Sequence, residues 1–330
     1  MTVTDVPAFL LGADLGMTVG RRTLADPGPD EAVVRVEWAG VCGSDLHVMR
    51  TGAWVTEWPA TLGHEIYGRV ESAPADSGLA PGTPVVADSR IPCGRCAACS
   101  IDPDTCAEIQ FVGEARPGGF ASHCVLPASM LHPVPESLSG STAVLAEPLA
   151  VVLHGLAQLD RDTERVAILG HGPIGALTHI ELRRRFPDAE IDVAEPAALR
   201  ASLATAHGAR TVDSATALTA RSYDTVVDAA GYNGSLTEAI DLCAAGAQLL
   251  ILAISAAPAE VRPIEIVERR LRIVGSNAFE HELDPAIDLL AAEPWRYDPV
   301  VTEAVELDEL PAVAARQLER PDAVKVLVRL

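Results

Sequence analysis

Positive charge is scarce in this chain and lysine is almost absent: 25 Lys and Arg stand against 46 Asp and Glu, the formal net charge is −21, and Lys325 is the only lysine. So acidic a chain repels phosphate backbones and anionic bilayers, which excludes nucleic acid and membrane surfaces as partners. Arginine carries nearly all the positive charge, and no lysine is well placed for Schiff-base chemistry. Aromatic residues make up 4 % against 48 % apolar residues; the core must be built from small aliphatic side chains, as alternating strands and helices allow. The first residues lack a basic stretch, apolar run and cleavage site, and nowhere do about 18 apolar residues run together, so the expectation is a cytoplasmic protein. Cysteine is sparse as well. Of seven, four lie between Cys93 and Cys106, a spacing suited to a metal rather than to separated disulfide partners.

The 330 residues exceed one typical domain, and the patterning changes along the chain. Residues 31–41 (EAVVRVEWAGV) alternate apolar and polar side chains, shorter strand-like runs follow at 66–70 and 84–87, and Gly and Pro punctuate them. Strand and helix alternate from about 148, with strands expected at 165–169, 191–194, 225–229, 247–254 and 271–274 and a helix at 174–186. The segment from 281 begins with a helical pattern and ends in the strand-like AVKVLVRL. The expected fold class is α/β: a β-rich domain from 1–147 and 281–330, carrying a small lobe at 90–108, and a doubly wound parallel sheet from 148–280.

Gly170-His171-Gly172-Pro173-Ile174-Gly175 follows the strand RVAIL and precedes a helix, the context in which GxGxxG binds a dinucleotide. Gly170 permits the tight turn, Gly172 lets backbone N–H groups approach a pyrophosphate, and Gly175 allows close helix–sheet contact, with Pro173 and Ile174 opening the helix. Glu195 stands about twenty residues on, where an acid accepts hydrogen bonds from both ribose hydroxyls and repels a 2′-phosphate. NAD is therefore preferred over NADP, and nearby Arg200 is the feature that speaks for NADP. His171, inside the loop, is expected to point to solvent.

Cys93, Cys96, Cys99 and Cys106 supply four thiolates able to close a tetrahedral shell around zinc. Bacterial ferredoxin spacing would put three residues before the fourth cysteine and a proline after it, whereas Ala107 follows here. A closed shell of four thiolates holds shape and binds no substrate. A second set is looser: Cys42 and His64-Glu65 sit near the ends of strand-like runs, with Ser44, Asp45 and His47 close behind Cys42 and with Glu147 opening EPLAVVL. Alone, a cysteine and a histidine would read as core residues. Together they suit a catalytic zinc, Asp45 orienting an imidazole and Ser44 with His47 passing a proton to solvent.

With both sets in view, the chain resembles the zinc-containing medium-chain dehydrogenase (alcohol dehydrogenase) family, through VCGSDLH at 41–47, GHE at 63–65, the four-cysteine run, EPLAV at 147–151 and GHGPIG at 170–175. EPLAV with GHE is most similar to its polyol, threonine and 2-deoxy-scyllo-inosamine dehydrogenase-like branches. The resemblance implies a GroES-like catalytic domain beside a Rossmann domain, and a homodimer or homotetramer. It further implies that Cys42, His64 and a carboxylate hold a catalytic zinc, with Glu65 and Glu147 competing for the third position, and that Ser44 and His47 form the proton relay. The gap between Cys99 and Cys106 is one residue shorter than the family's usual seven, and the first twenty residues match no family pattern. The implied reaction moves a hydride between NAD and a secondary alcohol or ketone on a polar, polyol-, sugar- or aminocyclitol-like substrate. Simple alcohols, amino-alcohols such as threonine, or a non-catalytic zinc- and nucleotide-binding homologue are the alternatives. Ser89, in place of an apolar wall, suggests a polar cleft, and Arg90, Trp54, Trp58 and Glu114 are candidates for polar or stacking contacts.

Overall fold

The computed structural model describes residues 5–106, 108–255 and 258–330, so the expectations touching Met1 to Thr4 and Ala107 lie outside the described residues. In chain order the elements are β1 (Val6–Leu11), β2 (Met17–Arg22), β3 (Glu31–Val41), α1 (Gly43–Thr51), β4 (Glu65–Ser72), β5 (Pro84–Ala87), β6 (Arg90–Ile91), β7 (Gln110–Phe111), β8 (His123–Pro127), β9 (Leu131–Pro133), α2 (Gly140–Ala143) and α3 (Ala146–Ala157). Then follow β10 (Arg165–Leu169), α4 (Pro173–Arg185), β11 (Glu190–Ala194), α5 (Ala198–Ala206), β12 (Arg210–Val212), β13 (Tyr223–Asp228), α6 (Ser235–Leu242), β14 (Cys243–Ile251), α7 (Pro263–Arg269) and β15 (Arg272–Gly275). The chain closes with α8 (Leu283–Ala292), α9 (Pro294–Tyr297), β16 (Val301–Glu306), α10 (Leu310–Glu319) and β17 (Lys325–Arg329).

Two compact units result. One comprises the chain up to Glu147 together with Leu283–Pro321 and Lys325–Leu330; the other comprises Pro148–Glu282 and Asp322–Val324. In the first, the strands run in the order β16-β17-β3-β4-β5-β9, with β8 also paired to β3. β3 is the hinge of this sheet. Its register sets Gly40 opposite Glu65 of β4 and Val41 opposite Val326 of β17, so the first residues of β4 and β17 meet across the end of β3. Residues Val6 to Arg22 form a β1–β2 hairpin whose buried Val6, Ala8, Phe9 and Leu11 anchor it, Phe9 meeting Phe120 edge-on with centroids 6.1 Å apart. Apolar VPAFLL is a continuous run without alternation, which is why pattern alone does not place it.

The second unit holds a six-stranded sheet, β12-β11-β10-β13-β14-β15, in which every pair is parallel. Strands such as RVAIL are apolar on both faces because helices cover each side. α6 turns Ala239, Ile240 and Leu242 into a core with Leu169, Val226 and Leu249, each large aliphatic side chain there stabilising the unit by roughly 1.5–3 kcal/mol. β11 and β13 flank β10, so the chain's winding reverses there and opens a crevice at the strands' carboxyl ends. Among the described residues one stretch, Gly140–Ala157, is long and apolar enough to cross a membrane, but 72 % of it is buried inside the protein, the behaviour of a core helix.

Candidate active site and metal centres

The Cys42 segment is positioned by its own helix cap. Cys42 is the N-cap of α1, and its N–H donates to Asp45 Oδ2 at 2.9 Å, satisfying one of the orphan donors of a helix start. The other oxygen, Oδ1, accepts from Gly63 N at 3.1 Å and lies 3.7 Å from His64 Nδ1. One buried carboxylate thus ties together the two segments that carry Cys42 and His64, and it faces the imidazole as well. Sγ of Cys42, a ring nitrogen of His64 and a carboxylate oxygen of Glu65 all lie within 4.8 Å of one another.

Thiolate, imidazole and carboxylate are the donor set of catalytic zinc, and the surroundings favour a cation. Burial by itself pushes the His64 imidazole down, yet Asp45 and Cys42 hold it well above its ordinary range. Glu65 is fully buried, and Gly40 makes room for it: a Cβ on Gly40 would fall 1.8 Å from Glu65 Oε2. Lys325 Nζ donates to Glu65 Oε1 at 2.5 Å and to the carbonyl of Val41 at 3.0 Å; Oε2 is within ion-pair reach of the same ammonium but makes no hydrogen bond. A buried acceptor with unused lone pairs beside a thiol and an imidazole is what a metal would satisfy. Glu147 is not in this cluster. It accepts from Ser89 Oγ at 2.8 Å, and burial raises its carboxyl above the usual range.

The four sulfurs of Cys93, Cys96, Cys99 and Cys106 also gather within 4.8 Å, all as free thiols. Cys93 and Cys99 are 3.8 Å apart and Cys96 and Cys99 3.4 Å, close to the ~3.8 Å edge that Zn–S bonds of about 2.3 Å give a tetrahedron. The shorter Cys99–Cys106 gap closes this shell through a single 3-10 turn at Pro103–Thr105.

In the second unit Gly170, at φ +85°, turns the chain between β10 and α4, and a Cβ there would meet Ala230 at 2.9 Å. A Cβ on Gly175 would lie 2.1 Å from the Gly170 carbonyl oxygen, whereas one on Gly172 would meet only the Arg200 guanidinium, at an ordinary contact distance of 3.7 Å. Gly172 caps α4, Pro173 is its first residue with Ile174 next, and the N-terminus of this long helix points its free N–H groups at the loop. Glu195 is buried at the end of the β11 strand and accepts from His171 N and Ala197 N, both at 2.8 Å. Arg200 donates through Nε to Ala323 O at 2.8 Å.

Comparison with known proteins agrees with this architecture. The family description "alcohol dehydrogenase GroES-like domain" matches residues 28–136. D-altritol 5-dehydrogenase of Agrobacterium fabrum is 30 % identical over 315 residues, covering 92 % of this chain and 93 % of its own length. The chain belongs to the zinc-containing alcohol dehydrogenase family. It is an oxidoreductase acting on CH–OH groups, with zinc and a nicotinamide dinucleotide as cofactors. Among solved structures, a zinc-binding dehydrogenase of Sinorhizobium meliloti bound to NADP superposes with a TM-score of 0.88 at 30 % identity, covering 99 % of both chains. An alcohol dehydrogenase of Escherichia coli complexed with NADH gives 0.86 at 25 % identity, covering 99 % of this chain and 100 % of that one.

Within this alcohol dehydrogenase fold the structure sorts the remaining residues. Ser44 and His47 lie on one face of α1, and the His47 ring packs on Trp54 with centroids 4.8 Å apart. Arg90, expected as a polar contact of the cleft, is buried and holds Asp88 through Nε at 3.0 Å and a terminal nitrogen at 2.7 Å. His171 does not point to solvent either. It is fully buried, its Nε2 lying 3.3 Å from His179 Nδ1, with His207 edge-on to His179. Residues 171 and 179 bracket the first turns of α4 on the same side, a relation that a loop motif does not advertise.

This buried pair has a pH signature. Burial is the main cause that holds the His171 imidazole at about 4 and the His179 imidazole at about 3, neighbouring imidazoles adding to it. Unfolded imidazoles titrate near 6.5; as pH falls from there toward 4, the unfolded chain binds protons that the folded chain refuses, and stability drops. The melting temperature should therefore decline between pH 7 and pH 5, and an H171N/H179N variant should lose less over the same interval, as calorimetry would read. An identical decline in both proteins would place the loss elsewhere.

Proposed function

We propose that the protein is an NAD-linked, zinc-dependent dehydrogenase of polar secondary alcohols of the polyol type, working in the direction that its substrate pair dictates. The observation that carries this reading is the convergence of the half-buried Cys42 and His64 with the buried Glu65, with the hydrogen-bonded Glu147–Ser89 pair also buried in the same unit; the sugar alcohol named for the altritol relative supports the substrate class. The β-rich unit is the catalytic domain and the Pro148–Glu282 unit the dinucleotide domain. Cys42, His64 and Glu65 would hold the catalytic zinc, and Cys93, Cys96, Cys99 and Cys106 a structural one. When bound, zinc supplies Lewis-acid stabilisation of charge developing on the carbinol oxygen, and the nicotinamide accepts the hydride.

The chain's own residues do the rest. Asp45 fixes the Cys42 and Gly63 backbones, so the two ligand-bearing segments keep their spacing. Ser44 and His47, a turn apart on α1 and both partly exposed, offer a path for the alcohol proton to solvent. Glu147, its proton affinity raised by burial, is placed to hold a polar group of the substrate or a water. Gly170, Gly172 and Gly175 with Pro173 and Ile174 shape the phosphate cradle, and Glu195 faces the ribose. The experiment that tests the reading is reduction of NAD and NADP, followed by nicotinamide absorbance, across polyols, aminocyclitols and simple secondary alcohols, with zinc measured on the same sample. A protein with zinc but no turnover on any of them would overturn it.

Coenzyme choice has its own test. Glu195 already accepts two backbone hydrogen bonds, so its charge is held at the end of β11 and opposes a 2′-phosphate there. Glu195→Ala should shift the ratio of kcat/KM for NADP over NAD upward by about 10- to 100-fold, the worth of one removed charge contact, with Arg200, within electrostatic reach of position 195, left in place. An unchanged ratio would move the selecting group elsewhere.

A homo-oligomer in the cytoplasm completes the proposal. β15 is an edge strand, and Ile264 (59 % exposed) and Val267 (73 %) of α7 lie on the helix just before it, an edge that a second copy would cover. Light scattering on the purified protein decides this.

A further inference from the structure

The turn between β7 and Arg116 carries a carboxylate whose surroundings the metal site leaves unexplained. Its backbone is fixed on three sides. Val112 N donates to Ser89 O at 2.9 Å, Gly113 N to Arg116 O at 2.8 Å, and the Glu114 carbonyl accepts from Thr56 N at 3.3 Å. Gly113 sits against the segment that leads into His64: a Cβ there would be 3.2 Å from Gly63 N. Glu114 is thereby half-buried, within electrostatic reach of His64 and Asp45, and burial raises its carboxyl above the usual range. Among the described residues no side chain or backbone group hydrogen-bonds or ion-pairs with that carboxylate.

Thr56, which holds Glu114 in place, lies between two exposed indoles, Trp54 at 47 % and Trp58 at 39 %. Trp54 in turn stacks on His47, one of the two residues in the proton path. A carboxylate taken half out of water loses part of its hydration, which donors on a ligand would replace. Indole faces receive the C–H surfaces of a ring or chain rich in hydroxyls, and a carboxylate beside them receives the donors.

We propose that Glu114 is a specificity-determining residue: its carboxylate accepts a hydrogen bond from a hydroxyl or ammonium group on the substrate, at a carbon other than the one oxidised. The proposal rests on the reading that Cys42, His64 and Glu65 hold the catalytic metal.

The test uses the zinc-loaded full chain, its Glu114→Leu and Glu114→Gln variants, and Cys42→Ala as a control. Three probes are compared, 2-propanol, D-sorbitol and 1-amino-2-propanol, by kcat/KM and by quenching of tryptophan fluorescence as a binding signal that needs no turnover. Glu114→Leu should lose about 10- to 100-fold in affinity and in kcat/KM for the two polyfunctional alcohols, at least about ten times more than it loses for 2-propanol. Glu114→Gln keeps an acceptor but removes the charge: retention of D-sorbitol with loss of 1-amino-2-propanol assigns a charge-assisted bond to an ammonium, and retention of both shows that a neutral acceptor suffices for either donor. Equal losses on all three probes overturn the proposal, as does wild-type protein that binds the polyfunctional alcohols no better than 2-propanol. Turnover that survives in Cys42→Ala, with Glu114 variants still selective by fluorescence, would sink the metal reading and leave this one standing.

Discussion

Cys42→Ala should halve the zinc content of the purified protein and lower turnover by on the order of 10³ or more, while the dinucleotide still binds. Loss of Lewis-acid stabilisation removes several kcal/mol from the barrier reduction, and about 1.4 kcal/mol is tenfold in rate. The cysteine lobe is a separate cluster of four sulfurs, so its zinc should remain. Dinucleotide affinity should remain as well, because Gly170 to Gly175 and Glu195 lie in the other unit. Metal analysis, steady-state rates and a fluorescence titration with the reduced cofactor check the three parts. Turnover within a few-fold of the wild type, with one zinc lost, would show that the catalytic metal is held elsewhere.

The second large effect concerns Lys325→Met. Lys325 and Glu65 are both fully buried, and the ammonium is held above its ordinary range because Glu65, Cys42 and Glu147 outweigh the desolvation that would lower it. Removing one partner of such a pair leaves an uncompensated buried charge and typically costs about 3–5 kcal/mol, or roughly 10 °C in melting temperature for a domain of this size. In metal-free protein the full loss should appear. Zinc bound at Cys42 and His64 would neutralise Glu65 from the other side, so the loss should be smaller in the zinc-loaded variant. Adding Glu65→Gln to Lys325→Met should recover most of the metal-free loss, a non-additivity that a double-mutant cycle measures. A melting temperature within about 1 °C of the wild type in the metal-free single variant would show that the pair contributes nothing.

What could be read from the chain, and what could not, follows from how far apart the interacting residues are. GHGPIG and the CxxCxxC run are local: every residue needed lies within one turn or one loop, so spacing carries the geometry, and β5 and β10 fall on the residues their patterns predict. The different surroundings of Glu65 and Glu147 were not local. They follow from Gly40 leaving space beside Glu65, a strand-register contact, and from Ser89 reaching Glu147 across 58 residues. Lys325 lies 260 residues from Glu65, and its isolation in the apolar strand KVLVR was the only linear hint that the sole lysine had a buried task. The burial of Arg90 was hidden for the opposite reason. Its partner Asp88 is two residues away, but nothing in a polar tripeptide tells a buried bidentate pair from a solvent-facing side chain.

The seclusion of that one lysine changes how the folded protein meets acylating reagents. No side-chain amine is presented to solvent, so N-hydroxysuccinimide esters or acetic anhydride find no lysine to convert to a stable amide on the folded protein. Acylation of Nζ would therefore mark molecules in which the end of β3 has opened, and its rate, followed by mass spectrometry, becomes a residue-resolved clock for the opening of the metal-bearing core.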